Sequence, residues 1–203
     1  MMSVGGIVLA AGSSSRMGQL KQLLRLDGKS LVRCAAEAAL GGGCQPVVIV
    51  TGAGALEVAA ELRDLPVKTA MNLEWSKGIG TSIRAGLAAL LEDTPGIDAA
   101  AVMVCDQYRL DADAVRVLLS AWSAAGKPMA ASQYAGTVGT PCCFGRDLFA
   151  ALGQIADTDG AKKLLTSDPG KVQVVAWPAG ADDVDTPEDW HRICKATVQP
   201  KIS

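Results

Sequence analysis

Apolar and polar positions alternate along this chain in blocks. The clearest apolar blocks are VGGIVLA (4–10), PVVIV (46–50), PVKTA (66–70), AAAVMVC (99–105), KPMAAS (127–132) and VQVVAW (172–177). Each is short and nearly continuous, the pattern of a strand buried on both faces. GTPCCF (139–144) is a weaker strand, in which Pro141 suits an edge or a strand start. Between these blocks, residues 30–40, 54–63, 79–92, 111–125, 146–153, 159–166 and 187–196 read as helices. Ser30 stands at an N-cap position, and Asp111 and Asp113 form an acidic first turn. Near the C-terminus, Thr186 as N-cap, Pro187 at the first helical position and Asp189 three residues on make a capping box.

This alternation predicts an α/β fold: a Rossmann-like three-layer sandwich with a mostly parallel central sheet. No internal repeat, low-complexity tract or linker divides residues 1–203, so a single domain is expected. Ligands of such sheets bind outside the carboxyl ends of the strands, near a switch in strand order. Three features lie just after strands: the Gly12–Lys21 loop, Asp106 and Asp185.

The loop after the first strand carries the strongest chemical signal. Ala10, Ala11 and Gly12 keep side chains out of the way, so backbone N–H groups can approach a ligand closely. Ser13, Ser14 and Ser15 add small donors, Arg16 a planar fork and Lys21 a point charge. Together they predict phosphate binding. A dinucleotide fingerprint is absent, because three serines follow Gly12 where G-x-G-x-x-G needs glycine. The GKS at Gly28–Ser30 lacks the upstream glycine of a P-loop, Leu23 standing there, and reads as a helix start.

Composition narrows the picture. With 203 residues, 49% of them hydrophobic, the chain can bury a sizeable core. A net charge of −2 gives no global pull toward nucleic acid or membrane, and 4% aromatics offer no stacking platform for single strands. The six cysteines contain no C-x-x-C pair and read as reduced thiols of a cytoplasmic protein, with Cys142 and Cys143 on opposite faces of a strand. No signal peptide is expected, since no basic region precedes the first apolar run, and no run reaches membrane-span length. The single histidine, His191, argues against zinc and reads as a surface residue.

LAAGSSSRMGQLK, from Leu9 to Lys21, resembles the signature L-A-[AG]-G-x-x-x-R-M-G-x-x-K of the nucleotidyltransferases that make molybdenum-cofactor dinucleotides. Leu9, Ala10, Ala11, Gly12, Arg16, Met17, Gly18 and Lys21 fall in register. The same superfamily includes sugar-phosphate and cytidyl-phosphate transferases. The resemblance implies that Leu9 to Ser13, Arg16 and Lys21 hold the nucleotide, with Arg16, Lys21 and Asp106 catalytic. It implies that Asp106 holds Mg²⁺; the family's D-Q-P has Tyr108 in place of its proline here. The family's D-[IV]-D-T-P-x-D motif matches near the C-terminus and makes Asp185 a second Mg²⁺ ligand. Asn72, Gly78 and Ser82 match N-x-x-W-x-x-G-x-x-x-S, which helps hold base and ribose. DTDGAKKLL (157–165) resembles G-D-x-G-A-[RK]-x-L-L without its first glycine. It would put Asp159, Gly160 and Lys162 on the acceptor side; the alternative is a helix start with Asp159 near the N-cap.

The activity so implied is Mg²⁺-dependent transfer of CMP from CTP to molybdopterin, releasing pyrophosphate, for a molybdenum hydroxylase or its chaperone. In the resembling group L-A-A-G loops go with CTP and L-A-G-G loops with GTP, and the Ala11 methyl narrows the pocket. Two other readings stay open: transfer to another phosphorylated acceptor such as a sugar or alditol phosphate, and a non-catalytic nucleotide or cofactor carrier.

Overall fold

The computed structural model describes residues 2–198. Its strands are β1 (Val4–Ala10), β2 (Arg25–Leu26), β3 (Lys29–Ser30), β4 (Val47–Thr51), β5 (Lys68–Met71), β6 (Ala99–Val104), β7 (Met129–Tyr134), β8 (Thr137–Gly145) and β9 (Val172–Ala176). Its α-helices are α1 (Leu31–Gly41), α2 (Ala55–Ala60), α3 (Ile79–Asp93), α4 (Ala112–Ala125), α5 (Phe149–Leu152), α6 (Lys162–Ser167) and α7 (Pro187–Val198).

Seven strands form one sheet in the order β5-β4-β1-β6-β8-β7-β9. β1 pairs in parallel with both β4 and β6, and only β8 runs against its neighbours. Period-two alternation splits the core. Val8, Ala10 and Met103 face α1, α2 and α4, whereas Ile7, Leu9 and Val102 face α3, α5 and α6. Cys143 lies in the first layer and Cys142 in the second, on opposite faces as expected. A smaller cluster of Met17, Leu24, Leu31, Val184 and Ile193 fastens α7 to the segment after β1.

Several elements differ from expectation. β8 is an interior strand, not an edge. Pro141 is tolerated because the β7–β8 register breaks there: Cys142 pairs with Ala131, Gly139 pairs with Ser132, and Thr140 and Pro141 are skipped. The missing proline N–H therefore falls where no ladder bond is made. Ser30 does occupy the N-cap of α1, but its hydroxyl makes no cap bond and is buried without a partner. GKS belongs to a hairpin whose turn is Asp27–Gly28, both at positive φ, the two-residue turn that D-G favours. α2 stops at Ala60, and α6 starts at Lys162 with Ala161, not Asp159, at its N-cap. Asp111 caps α4 by accepting the Ala114 N–H at 2.8 Å, and Thr186 and Asp189 form the expected capping box.

Candidate active site

Strand order reverses between β1 and β6, so their carboxyl ends open the crevice in which a doubly wound sheet binds ligands. The Gly12–Lys21 loop leaves β1, and Asp106 follows β6. Asp185 arrives from the far end of the chain. The Val184 N–H donates to the Asp106 carbonyl at 3.1 Å, and Gln107 and Asp183 form an antiparallel bridge. Val184, fully buried in the small cluster, anchors that segment.

The charged groups converge. Lys21 Nζ donates to Asp106 Oδ2 at 2.5 Å, to Asp185 Oδ1 at 3.2 Å and to the Val184 carbonyl at 3.3 Å. Arg16 Nη2 reaches Asp185 Oδ2 at 3.3 Å from a largely exposed position. Burial alone would lower the Lys21 pKa, but the charge and hydrogen bond of Asp106, helped by Asp185, outweigh it and raise it. Partial burial, with Asp106 and Asp185 nearby, pushes the Asp183 carboxyl up to about 6. The adjacent Cys105 is no nucleophile, because burial pushes its thiol up to about 12.

A pocket of about 220 Å³ lies against these groups, lined by Leu9, Ala10, Ala11, Gly12, Lys21 and Asp106 and closed by Trp75 and Ile79. Ser13 sits exposed on the loop. Asn72 and Ser82 are buried but not among the residues lining this pocket: Asn72 Nδ2 donates to Thr81 Oγ1 at 2.8 Å and to Ser82 Oγ at 3.0 Å, tying the end of β5 to the first turn of α3. Gly78 and Gly80 admit the chain near residue 157. A Cβ on Gly78 would lie 2.3 Å from the Asp157 carbonyl oxygen, and one on Gly80 would lie 1.9 Å from that of Ala156. Arg84 clamps the same segment through Asp157 Oδ1 and the Ile155 carbonyl, both at 2.5 Å. Asp157 is thus engaged in the scaffold. Asp159 pairs with Lys163 at 4.0 Å, Lys162 is exposed, and Gly160 lies beside Ile79. His191 is exposed on α7.

Sequence reading passed over four participants. Gln22 is 1% exposed yet polar, between Lys21 and Leu23. Gln107 donates to Tyr134 Oη at 3.2 Å and to the Gly180 carbonyl at 3.0 Å, bracing the loop after β6. Trp75 was visible as the tryptophan of the N-x-x-W pattern. Asp183 was hidden in a stretch of acidic residues whose capping role explained much of it.

The donor set fits a hard divalent cation. Two carboxylates share one ammonium, so their oxygens face a common space, and the raised Asp183 pKa reflects the charge of both. Among the described residues no group of three His, Cys, Asp or Glu could hold a metal. Mg²⁺ sites of the nucleotide kind use one or two carboxylates and draw the other ligands from water and phosphates.

Comparison with known proteins agrees with this geometry. Residues 6–172 match the MobA-like NTP transferase domain. The chain is 32% identical to nicotine blue oxidoreductase of Paenarthrobacter nicotinovorans, over 94% of this chain and 96% of that protein. It is 28% identical to the purine catabolism protein PucB of Bacillus subtilis, with the same coverage. Rv0371c of Mycobacterium tuberculosis superposes with a TM-score of 0.81 at 26% identity, covering 96% of this chain and 98% of that one, and its structure is also known in complex with manganese. A chain with this crevice, this loop and these relatives belongs to the MobA-like NTP transferase family and is a nucleotidyltransferase.

Proposed function

We propose that this enzyme transfers CMP from CTP to the phosphate of molybdopterin, releasing pyrophosphate. The observation that carries the reading is the convergence of Arg16, Lys21, Asp106 and Asp185 at the β1/β6 switch point. An acceptor phosphate oxygen forms a bond to the α-phosphorus, the bond from that phosphorus to the α–β bridging oxygen breaks, and the electron pair leaves with pyrophosphate. Phosphate oxygens are already ionised at neutral pH, so no general base is needed. The protein's work is positioning and charge neutralisation. Arg16 would meet the departing β,γ-phosphates, and Lys21 the α-phosphate. Asp106 and Asp185 would hold Mg²⁺, which supplies further neutralisation of the phosphate oxygens when bound. Asn72, Gly78 and Ser82 would shape the base and ribose side, and Asp159, Gly160 and Lys162 the acceptor side. Residues 1–203 act as one catalytic domain in this reading, working in the cytoplasm and supplying a molybdenum hydroxylase or its chaperone.

A second reading follows from the relative named an oxidoreductase at 32% identity. It calls for a redox cofactor, whereas the loop after β1 lacks the dinucleotide fingerprint. Thermal stabilisation by CTP, GTP, ATP and NAD, each with and without Mg²⁺, separates the readings. A ligand at a hundredfold excess over its dissociation constant adds about 2.7 kcal/mol. A Mg²⁺-dependent shift with CTP alone is the expected result. GTP or ATP in its place overturns the base assignment, and NAD alone overturns the transferase mechanism. Turnover with molybdopterin against a sugar or alditol phosphate then fixes the acceptor. Asp106→Asn folds and loses turnover; retained activity sinks the metal assignment and revives the carrier reading.

A further inference from the structure

Gln22 lies beneath the loop after β1 and is 1% exposed, with its polar end fully used. Its Nε2 donates to the Ala10 carbonyl at 2.9 Å and to the Gly12 carbonyl at 2.5 Å. Its Oε1 accepts from Ser14 Oγ at 3.3 Å, and that hydroxyl accepts the Lys21 N–H at 3.0 Å. One carboxamide therefore joins the strand end, the loop backbone and the first residue of the short turn that carries the Lys21 ammonium. Ser14 adopts a positive φ of 54°, uncommon for a residue with a side chain, within this network.

The consequence for a phosphate follows from peptide geometry. A planar trans peptide puts the carbonyl of one residue and the N–H of the next on opposite edges. The peptide between Gly12 and Ser13 is trans, and its carbonyl is drawn inward by Gln22. The Ser13 N–H then points to the open side of the loop. No neighbour crowds the side-chain position of Gly12, where a Cβ would meet nothing within 4 Å. Without the Gln22 donor the peptide is free to turn its carbonyl outward and offer a partial negative charge where a phosphate needs a donor. A glutamate in this place could accept but not donate.

We infer that Gln22 is a positioning residue for the polyphosphate: it holds the Gly12 carbonyl inward, so that the Ser13 N–H faces the phosphates, and through Ser14 it fixes the start of the Lys21 turn. The inference deepens the nucleotidyltransferase reading and rests on its phosphate loop, but not on the choice of base or acceptor.

The probe is inorganic tripolyphosphate with Mg²⁺, titrated calorimetrically into the full chain at a temperature where every variant is folded by circular dichroism. Gln22→Met keeps the volume and removes the donors; it should bind tripolyphosphate at least fivefold more weakly than the unaltered protein. Ser14→Ala, on a partly exposed residue, removes the second half of the network and should weaken binding at least twofold. A purely structural Gln22 would lower the melting temperature while leaving affinity in the folded range untouched. Smaller losses in Gln22→Met overturn the inference while the phosphate-loop reading stands. If Gln22→Met does not fold, Ser14→Ala decides, and unchanged affinity overturns the inference. If the unaltered protein does not bind tripolyphosphate, the phosphate loop itself is refuted and the inference falls with it.

Discussion

Lys21 Nζ lies 2.5 Å from Asp106 Oδ2 and 3.2 Å from Asp185 Oδ1, one ammonium joining carboxylates that are 79 residues apart in sequence. Lys21→Met leaves Asp106 without its charged partner and, in the proposed reaction, removes a donor to the phosphates. Loss of such a donor costs about a hundred- to a thousandfold in kcat. Stranding a partly buried carboxylate should lower stability by about 1–3 kcal/mol. Steady-state pyrophosphate release and urea denaturation measure the two effects. Unchanged turnover in a folded Lys21→Met would show that the ammonium only holds the carboxylates.

Gly80 has no room for a side chain, since its Cβ would sit 1.9 Å from the Ala156 carbonyl oxygen. Backbone must move to admit even a methyl group, and overpacking of this kind costs typically about 1–3 kcal/mol. The Gly80 N–H also donates to the Asp157 carbonyl at 2.8 Å, joining α3 to the segment that leads to Asp159 and Gly160. Gly80→Ala should therefore lower stability and raise the acceptor KM more than the nucleotide KM. Equal changes in both would break the link between this joint and the acceptor side.

Much of this architecture was legible in the chain because the relevant signals are local. Continuous apolar runs marked the parallel strands, and Thr186, Pro187 and Asp189 marked the start of α7. Small residues followed by Arg16 and Lys21 marked the loop after β1, which the structure sets beside Asp106 and Asp185 and which we propose binds phosphate. What stayed hidden depends on distant pairing. Pro141 argued for an edge or a strand start, yet a register break in the β7–β8 ladder spares its missing N–H inside the sheet. Gln22 was not singled out, because the carbonyls it holds belong to backbone that carries no sequence signal. Ser30 shows the converse: the residue type suits a cap, but its buried hydroxyl makes no such bond.

Thr186 and Asp189 make stability at the end of α7 depend on pH. The Thr186 hydroxyl donates to Asp189 Oδ2 at 2.8 Å and holds that carboxyl below its ordinary value of 3.8. A carboxyl so lowered adds stability above the unfolded pKa, and the contribution is lost as pH falls through the folded one. Thr186→Ala removes an N-cap, which costs ~1 kcal/mol. The deficit should be full at neutral pH and shrink as the pH drops below 3.8. Melting curves from pH 7 to pH 3 test this; a constant deficit would mean that Asp189 is not held by the threonine.

Ala11 is 4% exposed and lines the pocket together with Gly12, Trp75 and Ile79. If CTP is the substrate, as we propose, the Ala11 methyl group would take space that a purine needs. One methyl in a binding pocket is worth about 1–3 kcal/mol, roughly 10- to 200-fold in selectivity. Ala11→Gly should therefore lower the ratio of kcat/KM for CTP over GTP by at least about tenfold. The change should come from a gain with GTP, because the contacts proposed between Arg16, Lys21 and the phosphates would not involve this side chain. A ratio that stays fixed, in a variant that binds tripolyphosphate normally, would place base selection elsewhere, with Trp75 and Ile79 the next residues to alter.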